Sequence, residues 1–267
     1  MSNLASRVLS AVVALPLLVG LVWWKHPGGF AALIFLCAAI ASREYAAMLL
    51  PGAPPALRAF VVVAGTGLAV ALYFRPDLTL VWTLAAVVLG GAAVLLGPGE
   101  IDQAGARLGI VTFGLLYVGG LTASVGLLHR LASDGPRWVL TVFAATFAND
   151  TGAYFAGRGF GRHKLYPKIS PGKTVEGWFG GLLACLGVLV AERATFFPAL
   201  SPWDCVLVAV PASVLGPIGD LVESMLKRSA GVKDSGRLIP GHGGILDRMD
   251  ALLFVGAWVY TYATHLR

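Results

Sequence analysis

The sequence predicts an all-α, polytopic integral membrane bundle of about nine transmembrane helices, and three observations carry that reading. Hydrophobic residues make up 57% of the chain and charged residues only 13%, whereas soluble proteins carry about 25%. Mean hydropathy is +0.77. The apolar residues also fall in long runs, close to the ~20 residues that cross a bilayer, with short polar loops between them. A chain of 267 residues could build a large soluble core, but not from runs of this length. The net charge of +6 does not point to nucleic acid, because the basic residues cluster in loops, where positive-inside topology and anionic headgroups account for them. Cys37, Cys185 and Cys205 stand singly in or beside apolar runs, without CxxC spacing, and read as small buried hydrophobes.

Residues 8–24 form the first expected span, flanked by Arg7 and Lys25 and ending in the interfacial pair Trp23 and Trp24. No clear small-residue cleavage site follows, so the run reads as a retained helix rather than a signal peptide. Residues 29–50 are the second span, interrupted near its end by Ser42, Arg43 and Glu44, which approach the interface or face the bundle interior. The proline-rich loop 51–55 ends it. Residues 58–74 and 78–96 follow as an antiparallel hairpin, since only the turn Arg75, Pro76, Asp77 separates them. Beyond the polar loop 97–107, residues 108–128 carry Gly109, Gly114, Gly119, Gly120 and Gly126, which suit close helix packing.

Residues 138–154 begin apolar but end in Ala148, Asn149, Asp150, Thr151, Gly152, so a carboxylate sits at the end of an apolar helix. Loop 157–176 is basic and rich in glycine and proline. Spans at 177–191, at 203–222 with Pro211, Gly216, Pro217 and Gly219 inside it, and at 249–265 complete the series. The expected organisation is therefore 1–137, with about five spans, and 138–267, a catalytic region with two polar loops. One side of the membrane would hold Arg7, Arg43, Arg58, Arg107, the five Arg/Lys of 158–173 and the five of 227–248, fourteen in all, against six on the other. The richer side is cytoplasmic by the positive-inside rule. Two helices separate the polar loops, which puts both on that side.

The second loop region, 224–250, holds eight charged residues in a chain that has few. Asp220, Glu223, Ser224 and Lys227 fall at i, i+3, i+4 and i+7, one face of a helix if it continues past Val222. A carboxylate near the membrane is costly, so Asp220 is a functional candidate by default, with a snorkelled or ion-paired role as the competing reading. Asp247 and Asp250 stand at i and i+3 at the start of the last helix, where capping competes with metal binding. Gly241, Gly243 and Gly244 would let backbone N–H groups approach an anion. His242 among them is either a phosphate or base contact or a structural hydrogen bond. Lys173, in Ser170-Pro171-Gly172-Lys173-Thr174, is a phosphate candidate, although the GxxxxGK[ST] pattern is not met. There is no His/Cys cluster for zinc and no credible Ser/His/Asp set.

These residues resemble the signature of the phosphatidate cytidylyltransferases, the CDP-diacylglycerol synthases. Ser224, Lys227, Arg228, Lys233, Asp234, His242, Gly243, Gly244, Asp247, Arg248 and Asp250 match it with no position missing. Upstream counterparts are 149–154, 170–177 apart from Val175, where an aromatic is expected, and Gly219, Asp220 and Glu223. The resemblance is good from about Asn149 onward. It implies a magnesium-dependent reaction of CTP with phosphatidic acid, giving CDP-diacylglycerol and pyrophosphate at the cytoplasmic face of a bacterial inner membrane. It leaves room for a second, monovalent cation and implies a homodimer. On that footing Asp220 and Asp247 are metal ligands, with Asp150 and Asp250 as further ligands or their supports. Lys173, Ser224, Lys227, Arg228 and Lys233 would hold triphosphate or lipid phosphate, and His242, Gly243, Gly244 and Arg248 would contact substrate. The alternatives are another CTP-using membrane lipid enzyme, such as a polyprenol-type kinase or a synthase for a different lipid, and, from another class, a transporter.

Overall fold

The structure, a computed structural model, describes residues 15–24, 26–132, 134–238 and 243–267. It is essentially all-α. Helix α1 is described over 15–22, so the first part of the expected span 8–24 lies outside the described residues. Helices α2 (Pro27–Leu49), α3 (Pro55–Phe74) and α4 (Thr79–Leu96) follow. Prolines start α2 and α3 and the 3-10 turn Pro76–Leu78 that leads into α4. There the missing N–H costs nothing, because the first turn has no partner for it.

Helices α5 (Ala104–Gly114) and α6 (Leu121–His129) are joined by a π-helical turn, Leu115–Gly120. At that turn Gly119 lies against the backbone of Gly65 in α3, where a Cβ would collide. Helices α7 (Gly135–Phe160), α8 (Val175–Ala194), α9 (Pro202–Ser229) and α10 (Leu246–Thr261), the last extended by the π turn Tyr262–Leu266, complete the chain.

Among the described residues, six helical stretches are long and apolar enough to cross a membrane: Pro27–Leu49, Pro55–Phe74, Pro76–Leu96, Ile101–His129, Val175–Ala194 and Pro202–Ser229. The expected spans at 138–154 and 249–265 are also helical, within α7 and α10, but α7 is polar at its end and α10 is short. Leu80, Val88, Leu95 and Leu96 on α4 are exposed, as befits a helix that is apolar all round and bathed in lipid. The chain is an integral membrane protein. By packing it divides into two compact units. The first runs to Leu127 and takes in Ala230–Arg248, and the second is Leu128–Ser229 with Met249–Arg267.

Loop 157–176 is more ordered than its composition implied. Helix α7 runs through its start to Phe160, and an antiparallel hairpin follows, β1 (Lys164–Tyr166) with β2 (Ser170–Thr174). Thr174 then caps α8, its hydroxyl accepting from Gly177 N at 3.1 Å. Helix α9 passes straight through Pro211 and Pro217. Each proline leaves a carbonyl four residues earlier without its helical donor, and an indole replaces that donor in both cases. Trp258 Nε1 donates to Leu207 O at 3.1 Å, and Trp178 Nε1 donates to Ser213 O at 2.9 Å. The N-terminus of α9 closes with a reciprocal capping box, Ser201 N to Asp204 Oδ2 at 2.7 Å and Asp204 N to Ser201 Oγ at 3.0 Å.

Candidate functional site

In the second unit the uninterrupted α9 puts Asp220, Glu223, Ser224 and Lys227 on one helix. Asp220 is the hub. Its Oδ2 lies 2.8 Å from Lys173 Nζ, and its Oδ1 accepts from Ser224 Oγ at 3.1 Å. Lys173 projects from β2 and also donates to Pro217 O at 3.2 Å. Lys227 pairs with Glu223, which is fully buried. Gly219 brings α10 close, since a Cβ there would run into the backbone of Asp250 and Ala251. The Asp250 carboxylate accepts from Ala251 N at 2.8 Å and lies within electrostatic range of Asp220, Lys227 and Asp150.

Asp150, Lys173 and Asp220 line a cavity of about 630 Å³, together with Asn149, Tyr154 and Trp178 among others. That volume is typical of small-molecule sites. The hairpin above it is tied down by Glu176, whose carboxylate accepts from Arg162 N at 3.0 Å and meets His163 Nδ1 at 2.6 Å.

In the first unit the glycine turn of the signature is a self-satisfied clasp. Asp247, in the first turn of α10, accepts through one oxygen, Oδ2, from Ser235 N at 2.9 Å, Ser235 Oγ at 2.9 Å and Gly244 N at 2.7 Å. Gly243 has φ +77°, a left-handed conformation, and a Cβ there would also approach Asp247 Oδ2 at 2.6 Å, so glycine is needed twice over. Glu44 of α2, only 8% exposed, closes the other side. It accepts from Ile245 N at 3.1 Å, Leu246 N at 2.9 Å and Ser235 Oγ at 3.3 Å. A Cβ on Gly244 would meet both Ser235 Oγ and the Glu44 carboxylate.

The structure thus brings Lys173, Asp220 and Ser224 into direct contact and puts Asp150 and Asp250 in their electrostatic neighbourhood. Asp247, Gly243 and Gly244 belong to the clasp, and the anion that the Gly244 N–H meets is the chain's own carboxylate. Lys233 and Arg248 in the first unit and Arg228 in the second are exposed. His242 lies outside the described residues. Among those residues, no three or more His, Cys, Asp or Glu side chains gather into a ready-made metal cage. Glu44, Ser235 and Glu176 were not expected as site residues. Glu44 carried a signal, a carboxylate inside an apolar run, whereas Ser235 sits in the signature stretch at a position the pattern leaves open.

A helical membrane protein with a cavity lined by carboxylates and a lysine, beneath a basic hairpin, defines a membrane-embedded protein able to handle anionic ligands. The cytidylyltransferase family model matches residues 5–266, and the chain belongs to that family. A phosphatidate cytidylyltransferase of Staphylococcus epidermidis is 48% identical over 127 residues, 48% of this chain and 49% of the relative. One of Staphylococcus haemolyticus is 48% identical over 141 residues, 52% of each, and one of Staphylococcus aureus is 43% identical over 143 residues, 54% of this chain and 55% of the relative. The aligned part of the chain spans about half the length of these relatives.

Proposed function

We propose that this chain is a phosphatidate cytidylyltransferase, converting CTP and phosphatidic acid to CDP-diacylglycerol and pyrophosphate on the cytoplasmic side of the membrane. The carrying observation is the Lys173–Asp220 pair on a cavity, with Ser224 bonded to Asp220, in a chain that also holds the complete 224–250 signature. The names of the relatives support the substrates, and the excess of basic residues on one side supports the orientation.

The phosphatidate phosphate is already ionised near neutral pH, so its oxygen attacks the α-phosphorus of CTP without a strong general base. A new P–O bond forms as the bond to the bridging oxygen breaks, and pyrophosphate leaves with the electron pair. Two polyanions must meet, so the work is positioning and charge neutralisation. Lys173 is held by Asp220 until phosphate arrives, Ser224 offers a hydroxyl donor, and the exposed Arg228, Lys233 and Arg248 attract the incoming anions. Lys227, balanced by Glu223, keeps a cation at the same helix face.

The donor set fits magnesium, which is commonly held by one or two carboxylates plus substrate phosphates. Asp220 and Asp250, with Asp150 nearby, are oxygen donors of that kind in the second unit; the assignment of Asp247 as a ligand rests on the signature alone. When bound, the metal would supply positive charge to the triphosphate. A homodimer is part of the same reading.

The test is incubation of the purified protein with CTP, phosphatidic acid and magnesium, reading lipid product and leaving group together. CDP-diacylglycerol with equimolar pyrophosphate is expected. Release of CDP with a phosphorylated lipid would make the protein a kinase instead. Asp247→Asn should lose turnover while remaining membrane-inserted and folded, and near wild-type activity in that variant would remove Asp247 from the metal set.

A further inference from the structure

Pro217 deprives α9 of a backbone donor just ahead of the site, and the carbonyl it strands lies deep. Ser213 is fully buried, so water cannot satisfy its carbonyl, and its own hydroxyl is already committed to Val210 O at 2.8 Å. The donor comes instead from another helix. Trp178, half-buried in the first turn of α8, gives its Nε1–H to Ser213 O at 2.9 Å. A buried carbonyl that loses its donor is costly.

The same turn of α9 is gripped a second time. Lys173 Nζ donates to Pro217 O at 3.2 Å while it pairs with Asp220. Lys173 and Trp178 stand on either side of Thr174, the cap that joins β2 to α8. One short strand-to-helix junction therefore holds both ends of the turn 213–217.

Beyond that turn comes the polar face of α9, with Asp220 and Ser224. Sharp helix bends occur at prolines, where the carbonyl four residues earlier has lost its donor. A bend of about 20° at Pro217 would carry Asp220, one turn on, sideways by about 1.5 Å, and Ser224 by about 3–4 Å. The contact between Lys173 and Asp220 is only 2.8 Å long, and a misplacement of about 1 Å can cost about a hundredfold in rate.

We propose that Trp178 is a positioning residue of this site: its indole N–H replaces the donor that Pro217 lacks, keeps α9 straight through that turn, and so sets Asp220 and Ser224 against Lys173. The proposal rests on the cytidylyltransferase reading and adds to it a residue that acts through α9 and not on the substrate.

Pro217→Ala restores a backbone N–H opposite Ser213 O, which should make the indole donor dispensable. The experiment measures kcat and KM for the full-length wild type, Trp178→Phe, Pro217→Ala and the double variant, with amide exchange over residues 218–224 and thermal unfolding in detergent. Trp178→Phe keeps an aromatic ring and loses the N–H, and its smaller ring is common to both backgrounds. Its kcat should fall about tenfold or more while its KM for CTP stays within about threefold, and exchange beyond Pro217 should quicken. Pro217→Ala should remain active, and adding Trp178→Phe to it should lower kcat less than about threefold and leave exchange unchanged.

Undiminished kcat in Trp178→Phe overturns the proposal. So do equal losses in the two backgrounds, which assign the indole to packing if the unfolding temperature falls with them, or to direct contact with substrate if the KM for CTP rises instead. A Pro217→Ala protein without turnover also overturns it, because a helix closed by its own backbone would then fail to place the site. If Trp178→Phe does not fold, the double variant decides: restored folding and turnover uphold the donor role, and a second unfolded protein ends it. A wild type that forms no CDP-diacylglycerol breaks the enzyme reading, while exchange in the four proteins still reports on the hold that Trp178 has on α9.

Discussion

The two polar stretches of this protein are each closed by a glutamate that accepts backbone N–H groups, but the closures differ in depth and reach. Glu44 comes from a helix about two hundred residues away in sequence and is buried while it holds Ile245, Leu246 and Ser235. Glu176 comes from the helix that directly follows its hairpin, and its side chain is 26% exposed as it holds Arg162 and His163. Stretch 224–250 therefore spends its glycines and its Asp247 largely on itself, and loop 157–176 leaves Lys173 to reach across to Asp220 on another element. A family signature can thus mark architecture as firmly as chemistry. The loop with the weaker motif supplies the clearest cavity-facing cation.

The sharpest way to break this contrast is Glu44→Ala. It strands two backbone donors in a buried place, each worth about 1–3 kcal/mol when left unpaired, so the first unit should lose about 3 kcal/mol and CTP turnover should fall to background. Glu44→Gln keeps one acceptor and should fall between. Thermal unfolding in detergent with parallel activity assays checks both. If Glu44→Ala unfolds no earlier than wild type, the clasp is not what holds Ser235 and residues 243–247 in place.

Gly244→Ala should act on the same clasp from the opposite side, since its Cβ would push into Ser235 and Glu44. Overpacking of this kind costs about 1–3 kcal/mol. Because the two changes share partners, the double variant should be less destabilised than the sum of the singles. Full additivity would show that Gly244 is needed for some other reason.

The helical class, the six long apolar helices and the continuation of α9 past Val222 were legible from hydropathy and from the i, i+3, i+4, i+7 placement of Asp220, Glu223, Ser224 and Lys227. Boundaries were less so. The helix over 138–154 runs on to Phe160, where Gly157 packs against Gly177 of α8 and against its cap, Thr174, a tertiary contact that no local pattern announces. The hairpin within 157–176 was hidden by its glycines and prolines, which read as irregular loop. Glu44 could be flagged as a carboxylate in an apolar run, but its partners lie so far along the chain that periodicity could not supply them. The indoles that replace the donors lost at Pro211 and Pro217 were invisible for the same reason.

In the second unit, Lys173→Met removes the ammonium facing Asp220 and the donor to Pro217 O. The pair is partly exposed, with side chains 22% and 38% accessible, so stability should drop by less than about 1 kcal/mol. The KM for CTP should nevertheless rise about tenfold or more, because a charge-assisted contact to phosphate is lost. This outcome, small in stability and large in binding, is the reverse of a pure clasp defect. A Lys173→Met protein that unfolds like Glu44→Ala would erase the distinction between the loops.

Glu176→Gln should have the smallest effect of the four. The glutamine keeps a carbonyl oxygen for the Arg162 and His163 N–H groups and loses only the charge opposite the His163 ring, at a position open to solvent. Activity should stay within twofold of wild type and the unfolding temperature should not move, while amide hydrogen exchange at Arg162 and His163 should quicken as the hairpin opens more often. Exchange is the decisive measurement, because it reads the clasp itself and not its consequences. Faster exchange without loss of turnover would mean that the hairpin needs only to be near its place for Lys173 to find Asp220. Unchanged exchange would mean that the β1–β2 pairing holds the loop alone. A loss of turnover as large as that of Glu44→Ala would show that burial is not what separates the two closures, and the depth of a clasp would cease to predict its weight.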